Sequence, residues 1–169
     1  RIILIIEKDS PIEILQVIQG SESSSHSHLI DILIEENAQV NHNIIALGQR
    51  LSKLLATVSV RQQENSIYSL KSLQEGWYFS RLEQHINQLN GNAKTNIKAL
   101  QISSNEDQLA THSFIKFNGP GGCLNQIQKS IANNSSHSIF RGLIEVPEIA
   151  QQTKASQLSK SLLLSSKAK

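Results

Sequence analysis

The residues best suited to hold a metal in this chain are the two histidines of His26-Ser27-His28. One residue apart on a strand, two imidazoles point to the same side, a spacing that zinc or iron can use. A site needs a third ligand, and none is recognisably placed with them. They border the run Gly20-Ser21-Glu22-Ser23-Ser24-Ser25 and read as the solvated start of a strand. His42 falls in an otherwise apolar column and is expected inward, where a lone histidine is more often hydrogen-bonded structure than a ligand. Cys123, the single cysteine, follows Gly119-Pro120-Gly121-Gly122. A nucleophilic thiolate needs a base or a positive field beside it; His112 and His137 flank it in sequence only, so a packed thiol is expected. The glycine run is not a phosphate loop, because no Gly-Lys-Ser/Thr follows. Arg81, after Ser80, and Arg141, before Gly142, are expected at surface or loop positions. With no Ser/His/Asp order and no paired carboxylates, the expectation is that the chain holds no catalytic, cofactor-binding or metal-ligating residue.

The elements that would position these residues follow from Ile30 to Ile44, two alternating apolar/polar runs flanking a polar corner at Glu36-Asn37-Ala38. Similar corners recur at Asp9-Ser10-Pro11, Glu64-Asn65-Ser66 and Gly91-Asn92-Ala93, placing a small residue at 10, 38, 66 and 93. The next steps of 28 fall on Gly121 and beside Ala150. A fixed period is the mark of a repeat architecture. First strands are expected at Ile12 to Gln19, Ala38 to Leu47, Ser66 to Leu73, Ala93 to Ile102, Cys123 to Ala132 and Ala150 to Leu164. Second strands are expected at His26 to Ile34, Lys53 to Arg61, Trp77 to Leu89, Leu109 to Phe117 and Ser138 to Val146. Residues 28 apart share character: Ile14, His42, Leu70 and Ile97 form one column, Glu13, Asn41, Ser69 and Asn96 its polar neighbour, and Ile30, Val58 and Ile86 a third. Parallel strands in register about 4.8 Å apart require this. From Ser113 onward the alternation runs one residue off, which a longer turn explains. The fold expected is therefore all-β, a parallel β-helix of about 28 residues per coil, two main strands per coil and five to six coils, with residues 1–169 as one domain. An antiparallel jelly roll would not produce the constant step.

Composition agrees. The chain is 38% hydrophobic but only 4% aromatic, so its core must come from Ile, Leu and Val. The longest apolar run, Ile2 to Ile6, is far too short for a membrane-spanning helix. A net charge of +2 without a dense basic patch or stacking aromatics argues against nucleic acid. One cysteine rules out an internal disulfide framework and points to a reducing compartment. The absence of methionine, the strand-like start and the missing caps suggest a piece of a longer protein. An uncapped solenoid exposes strand edges, so self-association is expected.

The stretch Ser138-Ile-Phe-Arg-Gly-Leu-Ile-Glu-Val146, followed by Ala150-Gln-Gln-Thr-Lys-Ala-Ser-Gln-Leu158 and Leu162-Leu163-Leu164, resembles the SufB/SufD family of iron-sulfur cluster assembly proteins, its SufD branch more than its SufB branch. Ser80-Arg81, the Asn92-Ala93 corner and Asn125-Gln126-Ile127-Gln128-Lys129 resemble family positions too, so the likeness runs along essentially the whole chain. Leu124 and Gln128 stand where relatives often carry Ser and His. The resemblance implies a right-handed parallel β-helix between helical regions, working in bacterial cytoplasm or plastid stroma. It implies a non-enzymatic scaffold that pairs with a SufB-like subunit and binds a SufC-like ABC-type ATPase. A cluster would form on the intact complex, with no cofactor held by these residues. The segments tied to the cluster site and to the ATPase lie downstream of the Leu-Leu-Leu motif, so no functional residue carries over. Gln151, Thr153, Gln157 and Leu162 read as framework. Two other classes remain: a carbohydrate-active β-helix enzyme, which would need carboxylates stacked on one outward face, and a structural or adhesion solenoid.

Overall fold

A computed structural model describes residues 1–49 and 51–169. Alternation of apolar and polar residues sets twelve strands: β1 (Ile2–Ile6), β2 (Pro11–Gln19), β3 (Ser25–Ile34), β4 (Gln39–Leu47), β5 (Lys53–Gln62), β6 (Ile67–Glu75), β7 (Phe79–Gln88), β8 (Lys94–Ser103), β9 (Gln108–Phe117), β10 (Cys123–Ala132), β11 (His137–Glu145) and β12 (Lys154–Leu163). Odd strands make one six-stranded sheet in the order β1-β3-β5-β7-β9-β11, even strands the other, β2-β4-β6-β8-β10-β12. Every pairing is parallel. Consecutive strands thus lie in opposite sheets, and each coil crosses over and returns, as a β-solenoid requires.

The corner between an odd strand and the even strand after it repeats most faithfully. Asp9, Asn37, Asn65, Asn92, Gly121 and Gln152 all adopt positive φ, between 53° and 70°. Asparagine tolerates this left-handed conformation better than most side chains, which is why the corner selects it. Coil joins coil here: the backbone N–H of Asn37 donates to the Glu64 carbonyl (3.1 Å), that of Asn92 to Pro120 (2.8 Å), and Asn37 Nδ2 to Asp9 Oδ1 (2.9 Å). The small residue that follows turns inward, and Ala38, Ser66 and Ala93 are fully buried.

The coil step is not constant. Partners lie 28, 28, 26, 29 and 29 residues apart in the odd sheet and 28, 28, 27, 29 and 31 in the even sheet. Three expectations change as a result. The counterpart of Ala93 is Gly122, not Gly121, and the next is Thr153, not Ala150, because Lys94 pairs with Cys123 and Cys123 with Lys154. Ile86 stacks on Val60, and Val58 stacks instead on Gln84. The first column holds as expected, Ile14, His42, Leu70 and Ile97 lying side by side with Gln126 next. The cause is loop length, since the turns absorb insertions and deletions while the strands keep their alternation.

Between the sheets lies an aliphatic core of Ile30, Ile32, Ile34, Val40, Ile44, Leu54, Val58, Val60, Leu70, Leu82, Ile86, Ile97, Leu109 and Ile115. Trp77 fills the corner before β7, fully buried. It fits because Gly48 has no side chain there: a Cβ on Gly48 would come within 2.6 Å of the indole. From the third coil onward the interior turns polar. Gln74, Ser80, Gln84, Gln88, Gln101, Thr111, Ser113, Gln126 and Gln128 are buried.

Candidate functional site: polar interior and open edges

The sequence-predicted residues occupy separate places. His26 and His28 lie on the inward face of β3 and are half-buried. Their rings stack at 6.0 Å and 15°, and His26 also meets the edge of Trp77 at 5.7 Å. Ser24 Oγ is 2.9 Å from His26 Nε2. Burial first, then the neighbouring His26, holds the His28 imidazole below its usual range. Among the described residues no group of three or more His, Cys, Asp or Glu side chains is arranged to hold a metal ion. The pair is a ring stack at the mouth of the core.

His42 is inward and fully buried. Its Nε2 lies 3.2 Å from Gln16 Oε1 and its Nδ1 3.0 Å from the Tyr68 hydroxyl. A carbonyl oxygen only accepts, so Nε2 carries the proton and Nδ1 accepts from Tyr68. That neutral tautomer satisfies both nitrogens. Burial pushes the His42 pKa down to about 4 and raises that of Tyr68 well above the usual phenol range. This is a structural histidine.

Cys123 opens β10 in the even sheet, half-buried, its Sγ 3.9 Å from the Gly121 carbonyl oxygen. His112 lies on β9 and His137 opens β11, both in the odd sheet. The thiol and these imidazoles therefore belong to opposite layers of the solenoid. Leu124 and Gln128, both inward on β10, are buried, and Gln128 Nε2 donates to Gln101 Oε1 at 3.0 Å.

The framework positions have a physical role. Gly142 leaves room for Gln157 to reach from β12 across the interior: a Cβ at Gly142 would fall 2.5 Å from the Gln157 amide. Thr153 Oγ1 donates to the Ala150 carbonyl (2.9 Å), and the Gln151 carbonyl accepts from the Gly121 N–H (2.8 Å). The first bond closes the last corner on itself, and the second seats the last coil on the one before it.

That last coil forms one open edge. All ten residues of β12 are exposed, and Ile139, Leu143, Leu158, Leu162, Leu163 and Leu164 present apolar side chains to solvent. At the other end β1 and β2 expose Ile2, Ile3, Ile5, Ile12, Leu15 and Val17. Among the described residues each terminal strand has a pairing neighbour on one side only. An edge of this kind carries unpaired N–H and C=O groups and takes up a further strand or chain. On the outward face of the even sheet one column reads Glu13, Asn41, Ser69, Asn96, Asn125, Ser156 and the next Leu15, Asn43, Lys71, Lys98, Ile127, Leu158. Neither stacks two carboxylates, the feature a polysaccharide-cleaving cleft would need.

Sequence reading missed one cluster. The two steps of 29 in the odd sheet bring Arg81, Glu83, His85, His112 and Arg141 onto one outward patch. Arg81 and Arg141 stand on strands with exposed side chains. No local motif announces the patch, because its members come from three coils.

Comparison with known proteins places these features in a family. The model of the SUF system FeS cluster assembly SufBD core domain matches residues 1–169. A chloroplastic protein of Arabidopsis thaliana, ABCI7, is 28% identical over 99% of this chain and 36% of its own length. The iron-sulfur cluster assembly SufBD family protein slr0076 of Synechocystis is 36% identical over 82% of this chain and 31% of its own length. An iron-sulfur cluster assembly protein SufD of Plasmodium berghei is 25% identical over 97% of the chain and 12% of its own length. The chain thus spans about a third of the first two relatives and less of the third.

Proposed function

The chain belongs to the SufBD core domain family of the SUF iron-sulfur cluster assembly system, and from that premise we propose that it is the central solenoid of a scaffold subunit that works without catalysing a reaction. The supporting observation is a parallel solenoid matched along its whole length by the family model. In this reading the solenoid pairs with that of a SufB-like subunit, and the parent protein engages a SufC-like ABC-type ATPase through regions outside residues 1–169. Iron and sulfide are cargo built on the assembled complex. The chloroplastic and cyanobacterial relatives favour a plastid stroma or a bacterial cytoplasm as the place of work.

The test is co-purification of the full-length parent, tagged at one end, from its own cell. A stable complex containing SufB-like and SufC-like subunits supports the proposal. Recovery of the parent alone under gentle conditions overturns it. Residues 1–169 by themselves are expected to self-associate through their outermost strands, and a monomeric mass across micromolar concentrations would refute that part.

A further inference from the structure

The outward face of the even sheet is banded along the axis of the solenoid. Its strands β4, β6, β8 and β10 are each paired on both sides, so the face belongs to the middle of the sheet and not to a strand edge. In register across these strands, Asn41, Ser69, Asn96 and Asn125 make a polar row, and Asn43, Lys71, Lys98 and Ile127 the row beside it. Ile45, Leu73, Leu100 and Lys129 make the next, its three aliphatic side chains half-buried.

Charge on this face is one-sided. Lys71, Lys94, Lys98 and Lys129 are exposed on it against a single carboxylate, Glu75. None of these lysines has an ion pair or a side-chain hydrogen bond among the described residues, whereas Lys8 is paired with Glu36 and Lys116 with Glu145. Lys71 and Lys98 stand abreast on neighbouring strands, about 4.8 Å apart at the backbone, where like charges repel. Glu75 lies further along β6, roughly 13 Å from Lys71, and does not relieve them. Lys98 borders two shallow clefts, one of about 330 Å³ lined by Asn41, Ser69 and Asn96, the other of about 300 Å³ lined by Leu100 and Ile127. A repelling cation pair without a counter-charge, set beside an aliphatic row, is complementary to a surface that carries acid next to hydrocarbon.

We propose that this face docks an acidic amphipathic α-helix of a partner polypeptide, lying along the solenoid axis with carboxylates over Lys71 and Lys98 and apolar side chains over Ile45, Leu73 and Leu100. The direction of the bands selects a helix. They cross strands about 4.8 Å apart, and helical side chains three and four residues apart rise about 4.5 and 6 Å. Acids at i, i+4 and i+7 therefore make a stripe that stays over the lysine row, and a leucine after each makes the stripe next to it. An extended segment presents only one row of side chains to a surface, while this face offers two rows side by side. From β4 to β10 the sheet spans roughly 14 Å, the length of nearly three helical turns. The outward face of these strands carries no arginine and no aromatic side chain, the groups that grip phosphate and stack bases, so a nucleic acid is not its match.

The test uses the full-length parent and a peptide blocked at both ends, Glu-Leu-Ala-Gln-Glu-Leu-Ala-Glu-Leu-Ala-Gln-Glu-Leu-Ala, carrying a neutral dye. Affinity is read by fluorescence anisotropy, and the place of binding by amine-reactive labelling resolved to single lysines by mass spectrometry. Lys71 and Lys98 should label in the parent alone. Saturating peptide should protect both and leave Lys53, on the other sheet, reactive. The double variant Lys71→Gln, Lys98→Gln removes side chains without internal partners, so the fold is retained, and it should weaken binding about tenfold. Lys53→Gln should leave binding unchanged, and the peptide with Gln in place of Glu should weaken at least as much as the double variant. Absence of saturable binding, lysines already protected in the parent alone, equal affinity of the two peptides, or unchanged binding by the double variant overturns the proposal. An equal loss from Lys53→Gln overturns it too, since attraction would then be to net charge. Displacement by an equal concentration of single-stranded oligonucleotide overturns the helix as occupant. None of these outcomes depends on recovery of SufB-like or SufC-like subunits, so this proposal and the scaffold reading fail separately.

Discussion

Acid should weaken this protein through His42, and by an amount the structure sets. The imidazole is fully buried, its two nitrogens are satisfied in the neutral tautomer, and its pKa falls from 6.5 to about 4. The folded state therefore refuses a proton that the unfolded chain accepts below pH 6.5. Stability from this group is complete above pH 6.5, declines as pH falls through the window from 6.5 to about 4, and stays level below it. At 1.36 kcal/mol per unit, the loss is about 2 kcal/mol by pH 5 and about 3 kcal/mol once the window is crossed. The perturbation is His42→Gln, whose amide can donate to Gln16 and accept from Tyr68 without ionising. Urea unfolding, followed by the fluorescence of Trp77, the one tryptophan and a fully buried one, reads both chains at pH 7.5 and pH 5. His28 and His112, also held low, and Glu83, whose contribution fades in acid, are common to both and cancel in the difference. The variant should lose about 2 kcal/mol less than the parent between the two values. Equal losses in both chains would refute the reasoning.

Two further substitutions probe the interior. Gln84 is buried with neither side-chain polar atom bonded within the protein, so Gln84→Leu should raise stability by about 1 kcal/mol; a loss of that size in a denaturant titration would mean that bound water satisfies the amide. Gly48→Ala places a Cβ 2.6 Å from Trp77 and 2.7 Å from Ser52 Oγ. It should cost about 2 kcal/mol and shift tryptophan emission to longer wavelength, and an unchanged midpoint and spectrum would show that the corner yields without strain.

The repeat was legible because a solenoid writes its geometry into every coil. Inward and outward residues alternate along each strand, and the left-handed corner must be Asn, Asp or another tolerant residue at every turn. Asp9, Asn37, Asn65 and Asn92 therefore stand out before any strand is paired. His42 was readable as an inward residue for the same reason, though its partners Tyr68 and Gln16 were not, since they approach from neighbouring coils. The separation of Cys123 from His112 and His137 needed the sheet assignment, because sequence neighbours on consecutive strands belong to opposite layers.

The sequence by itself determined the class of fold, the order of strands, the side each residue faces and, through its motifs, the family. Tertiary structure decided the register. Turns of unequal length change the coil step from 28 to 26, 29 or 31, and neither local propensity nor periodicity encodes how far a loop displaces the next strand. Lateral neighbours are thus a property of the stack. Gln84 lies beside Val58, Gln157 reaches over Gly142, and Glu83, His112 and Arg141 share a row only because three coils settle against one another at those offsets.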